Sequence, residues 1–245
     1  PSTPEKLFVP ALNIAFEYPD ANEVMKPIDI LPKLPDNTSP DDITSISSEQ
    51  LNPCAADPCT AQELSDGKDN LPDLIFTTGQ GKPSFVSLND PNNPGTLKAP
   101  TAIGSDEDED RDTAVGDFNG DGVPDLIVVS NDQPTKIYYG DPSRPGDFSS
   151  LRHDEIGDAS DGAISVQLID ADGNPATPPE IIIANEHAPD SIYIGQNPSG
   201  GSSNAGSGEH VNTVYTKIDV PNTGTSTTSG LAVKKGMGTD ATSTV

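Results

Sequence analysis

Asp117-Phe-Asn119-Gly-Asp121-Gly122-Val123-Pro-Asp125 is the stretch whose reading decides the fold. Oxygen-bearing side chains stand at loop positions 1, 3, 5 and 9, with a glycine at position 6. That spacing turns alternate side chains inward around one hard cation, and the carbonyl of Val123 at position 7 adds a ligand. Gly122 permits the sharp turn that brings Asp125 back towards the ion. An EF-hand would place a Glu at position 12, but that position here is Val128, inside an apolar run. The loop is therefore predicted to feed a β-strand and not to join two helices.

Charge makes the cation necessary. Folding such a loop holds Asp117, Asp121 and Asp125 within a few Å of one another. At an effective dielectric near 20, each like-charge pair at about 4 Å costs roughly 4 kcal/mol. Three pairs cost on the order of 10 kcal/mol, an upper bound because an open loop splays, against about 5–15 kcal/mol for a whole domain. The loop is either filled or locally loose. Calcium suits it better than magnesium, because a long acidic loop offers flexible ligation by many oxygens. An Asx/Gly-rich turn without an ion is the simpler alternative.

The rest of the chain supports a secreted, sheet-rich protein. Its 245 residues carry 39 acidic and 13 basic side chains, a net charge of −26, which excludes a basic face for nucleic acid. Only 32% of the residues are hydrophobic, there is no Trp, and there are 25 Pro and 22 Gly, a composition that leans towards disorder. The apolar residues are nevertheless gathered in short β-branched runs: Asp73-LIF-Thr77, Asp125-LIVV-Ser130 and Glu180-III-Ala184. These predict buried strands separated by long polar loops. The chain begins at Pro1 and shows neither a signal peptide nor an apolar run of membrane-spanning length, as expected of a processed product or fragment. Cys54 and Cys59 sit in Asn-Pro-Cys-Ala-Ala-Asp-Pro-Cys, and a small disulfide loop is expected of them in an oxidising compartment. Asn37-Thr-Ser39 is an N-glycosylation acceptor, which agrees with secretion.

The chain also repeats itself. Asp125-LIVVSNDQPTKIYYG-140 matches Glu180-IIIANEHAPDSIYIG-195 position for position, an offset of 55 residues from Asp125 to Glu180. A third copy, Asp73-LIFTTGQGKPSFVSL-88, lies 52 residues upstream of Asp125 and carries one extra residue in its turn. Each copy reads as strand, polar turn, strand. Further short strands are expected before it (Thr113-AV, Ile164-SVQLI) and after it (about 97–103, 148–156 and 213–220). Four short strands in about fifty residues is the pattern of a β-propeller blade, so the fold class is all-β, built of four-stranded antiparallel blades with long loops.

Val115-Gly-Asp-Phe-Asn-Gly-Asp-Gly-Val-Pro-Asp-Leu-Ile-Val-Val resembles the FG-GAP, or VCBS-type, repeat of integrin α-subunit propellers and many secreted propellers. The resemblance implies a calcium loop between the first two strands of a blade, with Asp117, Asn119, Asp121 and Asp125 as side-chain ligands and Val123 through its carbonyl. It departs from integrins in having Ser130-Asn-Asp where the Gly-Ala-Pro triplet should follow the second strand. The other loops are poorer copies. Asp170-Ala-Asp172-Gly-Asn174 keeps the first three ligand positions but has Pro175 in place of glycine, and Glu180 takes the last ligand's place after two extra residues. In Ser65-Asp66-Gly67-Lys68-Asp69-Asn70-Leu-Pro-Asp73 only Asp69 and Asp73 keep register, Lys68 intrudes, and a register slip would recruit Asp66. A turned but empty loop is expected there.

The organisation expected is an extended, proline-rich segment at 1–56 with strands at Leu7-Phe-Val and Leu12-Asn-Ile-Ala-Phe, then three blades over 57–226 (about 57–105, 106–158 and 159–226). A further blade begins at 227–245. The acidic run Ser105–Asp112 is expected to be a solvated loop. No nucleophile elbow, zinc-protease helix or phosphate-binding glycine loop occurs, and the three His show no metal-ligand spacing. The functional expectation is a non-enzymatic, extracellular or cell-surface calcium-binding propeller with a structural or adhesive role. Its partners would be an extracellular protein or polysaccharide and further blades from a longer or neighbouring chain. Two alternatives are an accessory or carbohydrate-binding propeller of a polysaccharide-active secreted enzyme, and a subunit of an extracellular filament or appendage.

Overall fold

The computed structural model describes residues 38–79, 81–93, 96–104, 108–149, 153–171, 173–174, 177–196 and 214–220, and the backbone of three strands before them. Asn37, Asp172, the Gly/Ser-rich stretch 197–208 and the further blade expected at 227–245 lie outside the described residues. The three early strands, β1 (Lys6–Val9), β2 (Ile14–Glu17) and β3 (Lys26–Ile28), form an antiparallel sheet in chain order. The first two coincide with the expected strands.

Twelve further strands form three four-stranded antiparallel meanders. The first sheet is β4 (Ile43–Glu49), β5 (Asp73–Thr78), β6 (Phe85–Ser87) and β7 (Thr101–Ala102). The second is β8 (Asp110–Gly116), β9 (Asp125–Ser130), β10 (Thr135–Tyr138) and β11 (His153–Ile156). The third is β12 (Ala163–Ile169), β13 (Glu180–Asn185), β14 (Ser191–Gln196) and β15 (Val214–Asp219). Among the described residues the only α-helix is the five-residue α1 (Ala61–Ser65), which Thr60 and Glu63 close with a capping box.

The repeat seen in sequence is a repeat of register. Leu126↔Tyr138, Ile127↔Ile137 and Val128↔Lys136 in the second sheet become Ile181↔Tyr193, Ile182↔Ile192 and Ile183↔Ser191 in the third. In the first sheet Leu74 pairs with Ser87, one residue further along than Tyr138 is from Leu126, which is the extra turn residue expected there. All three first strands carry a bulge at the same place, between Ile43 and Ser45, Asp110 and Asp112, and Ala163 and Ser165. A bulge increases local twist, so each first strand bends alike as neighbouring sheets fan out from one another.

Two cores lie between the sheets. Leu126, Val128, Tyr138 and Phe148 pack with Leu51, Ile75, Val86 and Ile103 of the first-sheet side. Ile127, Val129 and Ile137 pack with Val166, Ile181, Ile183 and Tyr193 of the third. β9 is therefore buried along its whole length, which is why it reads as a continuous apolar run with no alternation. Polar bonds tie the first strands together. Thr44 donates to the Asp110 carbonyl, the Ser47 and Thr113 hydroxyls meet at 2.9 Å, and Asp112 accepts from the Ser165 hydroxyl and the Val166 N–H.

Two expectations need correcting. The first blade does not start at about 57, because β4 at 43–49 is its first strand. Ile-Thr-Ser-Ile-Ser-Ser-Glu is poor in apolar residues, since this strand is held through hydroxyls, and residues 50–72 separate it from β5, so its pattern is weak. The acidic run at 105–112 is not simply a solvated loop either. Asp110 is buried and accepts from Ser84 and Ser130, Asp108 pairs with Lys136, and Asp112 is the tie to the third sheet. Burial pushes the Asp110 carboxyl above its ordinary range. Replacing Asp110 by Ala strands two buried hydroxyls, and is expected to lower stability by about 1–3 kcal/mol in urea denaturation. A change below about 0.5 kcal/mol, the size of an ordinary surface substitution, would contradict this account of the blade junction.

Candidate functional site

The 117–125 segment links β8 to β9 and is wound around its own first carboxylate. Asp117 Oδ1 accepts the N–H groups of Gly120 (2.7 Å) and Asp121 (3.1 Å), and Oδ2 accepts that of Gly122 (2.8 Å). Asn119 Oδ1 accepts the Asp121 N–H, and Asp121 Oδ1 accepts the Val123 N–H. The Asn119 amide donates to Asp121 Oδ2 at 3.1 Å. Successive Asx turns of this kind need left-handed backbone, and Gly122 supplies it at φ +80°. Every donor the loop offers to a cation (Asp117, Asn119, Asp121, the Val123 carbonyl and Asp125) is an oxygen, so the set is a hard-cation set in kind.

Asp125 differs from the other acids. It has no exposed surface, and its two oxygens accept the N–H groups of Phe118 and Gly140, each at 2.8 Å. One carboxylate thus bonds to the chain leaving β8, to the start of β9 and to the chain leaving β10. Burial pushes its carboxyl up to about 8, opposed by these two hydrogen bonds and reinforced by repulsion from Asp121 and Asp117. Gly140 cannot carry a side chain here, because an added Cβ would lie 2.4 Å from the Pro124 carbonyl and 2.7 Å from Val123.

The other two predicted loops share this last feature. Asp73, buried and pushed up to about 6 by burial, accepts from Leu51 N–H (3.1 Å) and Asn89 N–H (2.8 Å). Glu180 accepts from Ala171 N–H at 2.7 Å. Leu51, Phe118 and Ala171 each stand two residues beyond the partner of the acid in the first strand, namely Glu49, Gly116 and Ile169. The acid at the start of the second strand therefore clamps the chain leaving the first strand in all three sheets, and in the first two it also holds the chain leaving the third strand. Spacing marked it as a ligand position and gave no sign of this second role.

The remaining predicted ligands are placed unequally. Asp69 is buried, and its carboxylate accepts the Leu71 N–H. Asp66 caps α1 and accepts from Gln62. In the third loop Asp170 is exposed, and the Asn174 carbonyl accepts the Thr177 N–H. Cys54 and Cys59 are joined in a disulfide with Cα atoms 5.5 Å apart. Among the described residues no three His, Cys, Asp or Glu side chains converge closely enough to hold a metal, because the loop carboxylates face backbone N–H groups. No helix among them is long and apolar enough to cross a membrane. A shallow cleft lined by Asn52 and Lys68 on one side and by Val123 and Pro124 on the other separates the first two loops.

Two outcomes follow from the clamp. In the calcium-free protein, 13C titration should find Asp125 ionising near 8, far above the ordinary value of about 4. Because the folded value is raised, the stability Asp125 contributes is full below about pH 4 and is lost as pH rises through about 8. An Asp125 that titrates near 4 contradicts the burial argument. Gly140→Ala is expected to cost about 1–3 kcal/mol in thermal or urea unfolding, as overpacking does.

A family model described as FG-GAP-like repeat matches the chain twice, over residues 68–128 and 117–174. No curated protein matches the chain in sequence. Repeats of this family are generally structural or binding modules and are typical of extracellular or surface proteins. The paired matches and the three four-stranded antiparallel sheets lead to one conclusion: the chain carries FG-GAP-like repeats folded as β-propeller-like blades.

Proposed function

We propose that this chain is an extracellular, calcium-stabilised propeller module with a structural or adhesive role, and that the ion fastens the 117–125 loop. One observation carries the reading: five oxygen donors lie on a loop already wound by Asx turns between the two strands that build both cores. An ionised carboxylate offers about four acceptor sites, so the N–H bonds to Asp117, Asp121 and Asp125 leave lone pairs for a cation. The bound ion would supply positive charge that offsets the mutual repulsion of these acids. The disulfide favours an oxidising compartment, and the net charge of −26 suits a surface that meets calcium and salt. The role is scaffolding: the ion stiffens one loop, and other loops meet an extracellular protein or polysaccharide.

Thermal unfolding with calcium and with EDTA tests the reading. A free calcium concentration a hundredfold above Kd stabilises by about 2.7 kcal/mol, or about 5–10 °C for a chain of this size. Asp121→Ala should lose most of that shift. An unchanged midpoint at millimolar calcium removes the ion from the account.

A further inference from the structure

The first-sheet loop contains a second set of ligands that no contiguous motif reveals. Counting from the strand pairs, the loop begins one residue after the first-strand partner of the clamp acid. That residue is Asp117 after Gly116 in the second sheet, and Gln50 after Glu49 in the first. Asn52 then occupies the place of Asn119. Counting back from the clamp acid, Asp69 stands where Asp121 stands and Leu71 where Val123 stands, four and two residues before Asp73 and Asp125. Between the two limbs lies the insert 53–68, closed by the Cys54–Cys59 disulfide and α1.

Three hydrogen bonds of the 117–125 loop recur at the aligned positions, while Asp69 N–H turns to the Asn52 carbonyl and Gln50 donates to the Asp69 carbonyl. Leu71 N–H donates to Asp69 Oδ1 as Val123 N–H does to Asp121 Oδ1. The Asn52 amide donates to Asp69 Oδ2 at 3.4 Å, as the Asn119 amide does to Asp121 Oδ2. Leu51 N–H reaches Asp73 as Phe118 N–H reaches Asp125. An independent observation points to a missing partner. Asn52 has no exposed surface, yet its Oδ1 has no hydrogen-bond donor, and neither does the buried Oε1 of Gln50. Leaving such an acceptor unpaired costs about 1–3 kcal/mol, and the two orphaned oxygens stand at the first and third ligand positions. The insert is pinned across the junction, with Asn70 accepting from Cys54 N–H and the Asn52 amide donating to the Gly67 carbonyl.

We propose that Gln50, Asn52, Asp69, the Leu71 carbonyl and Asp73 form a second calcium site, split by a disulfide-closed insert. This rests on the reading of 117–125 as a calcium loop, but the site stands on its own residues. It holds two carboxylates where the 117–125 loop holds three, and Lys68 takes the fourth position, where the other loop has Gly120. Its affinity is accordingly the weaker of the two, since ligand charge sets calcium affinity. The family match begins at Lys68, the last residue of the insert, so the limb with Gln50 and Asn52 falls outside it.

Calcium titration of the stripped chain by calorimetry and native mass spectrometry tests this. Asn52→Leu is expected to lose one bound calcium. Gln50→Glu, which restores an acid at the first position and keeps side-chain length, is expected to tighten that site roughly tenfold. If Asn52→Leu fails to fold, Gln50→Glu alone decides, and an unchanged affinity there overturns the split site. In folded Asn52→Leu, unchanged stoichiometry overturns it as well. Asp121→Ala, measured in parallel, reports only on the 117–125 loop. A loss there without any change at Asn52 and Gln50 overturns the split site and leaves the proposed function standing. A change at Asn52 or Gln50 without one at Asp121 does the reverse.

Discussion

In each of the first two sheets one buried carboxylate holds the strands and loop of the repeat together. Asp125 draws the backbone leaving β8 and the backbone leaving β10 onto the start of β9, and Asp73 does the same in the first sheet. Burying an ionised acid is unfavourable unless it is hydrogen-bonded or otherwise compensated. Two backbone N–H groups supply part of that compensation. The neighbouring Asp117 and Asp121 work against it, since both repel Asp125. The strand clamp and the acidic loop are thus in tension, which a cation bound as proposed would relieve.

The tension sits where the fold can least tolerate looseness. β9 has one face in each of the two inter-sheet cores, and the loop sets the position at which that strand begins. Rigidity at 117–125 therefore passes directly into both cores, whereas rigidity in an exposed turn would not. The same placement explains why the acidic residues just upstream are structural. Asp110 and Asp112 fasten the first strand of the second sheet to the first sheet on one side and to the third on the other.

Much of the architecture is legible in the sequence, for a physical reason. Second strands buried on both faces must be short apolar runs, so β5, β9 and β13 announced themselves, and their spacing gave the blade period. First strands obey a different rule. β4 is stitched to β8 through Thr44 and Ser47, and such hydroxyl-rich strands look like loop. Ligand spacing likewise picked out the contiguous 117–125 loop, whereas in the first sheet it reached only the limb that carries Asp69 and Asp73. Gln50 and Asn52 are neutral and lie across an insert from Asp69, and only strand register brings the two limbs into correspondence. The role of Asp73 and Asp125 as clamps had no sequence signature, because their partners are backbone N–H groups.

The central claim is that the acids of 117–125 enclose a cation between β8 and β9. A crystal structure of the chain grown in millimolar calcium tests it most directly. The account predicts density for one ion at about 2.3–2.6 Å from oxygens of Asp117, Asn119 and Asp121 and from the Val123 carbonyl, with seven or so ligands in all. A fully ordered loop in saturating calcium, with its carboxylates on backbone N–H groups alone and only water beside them, would contradict it.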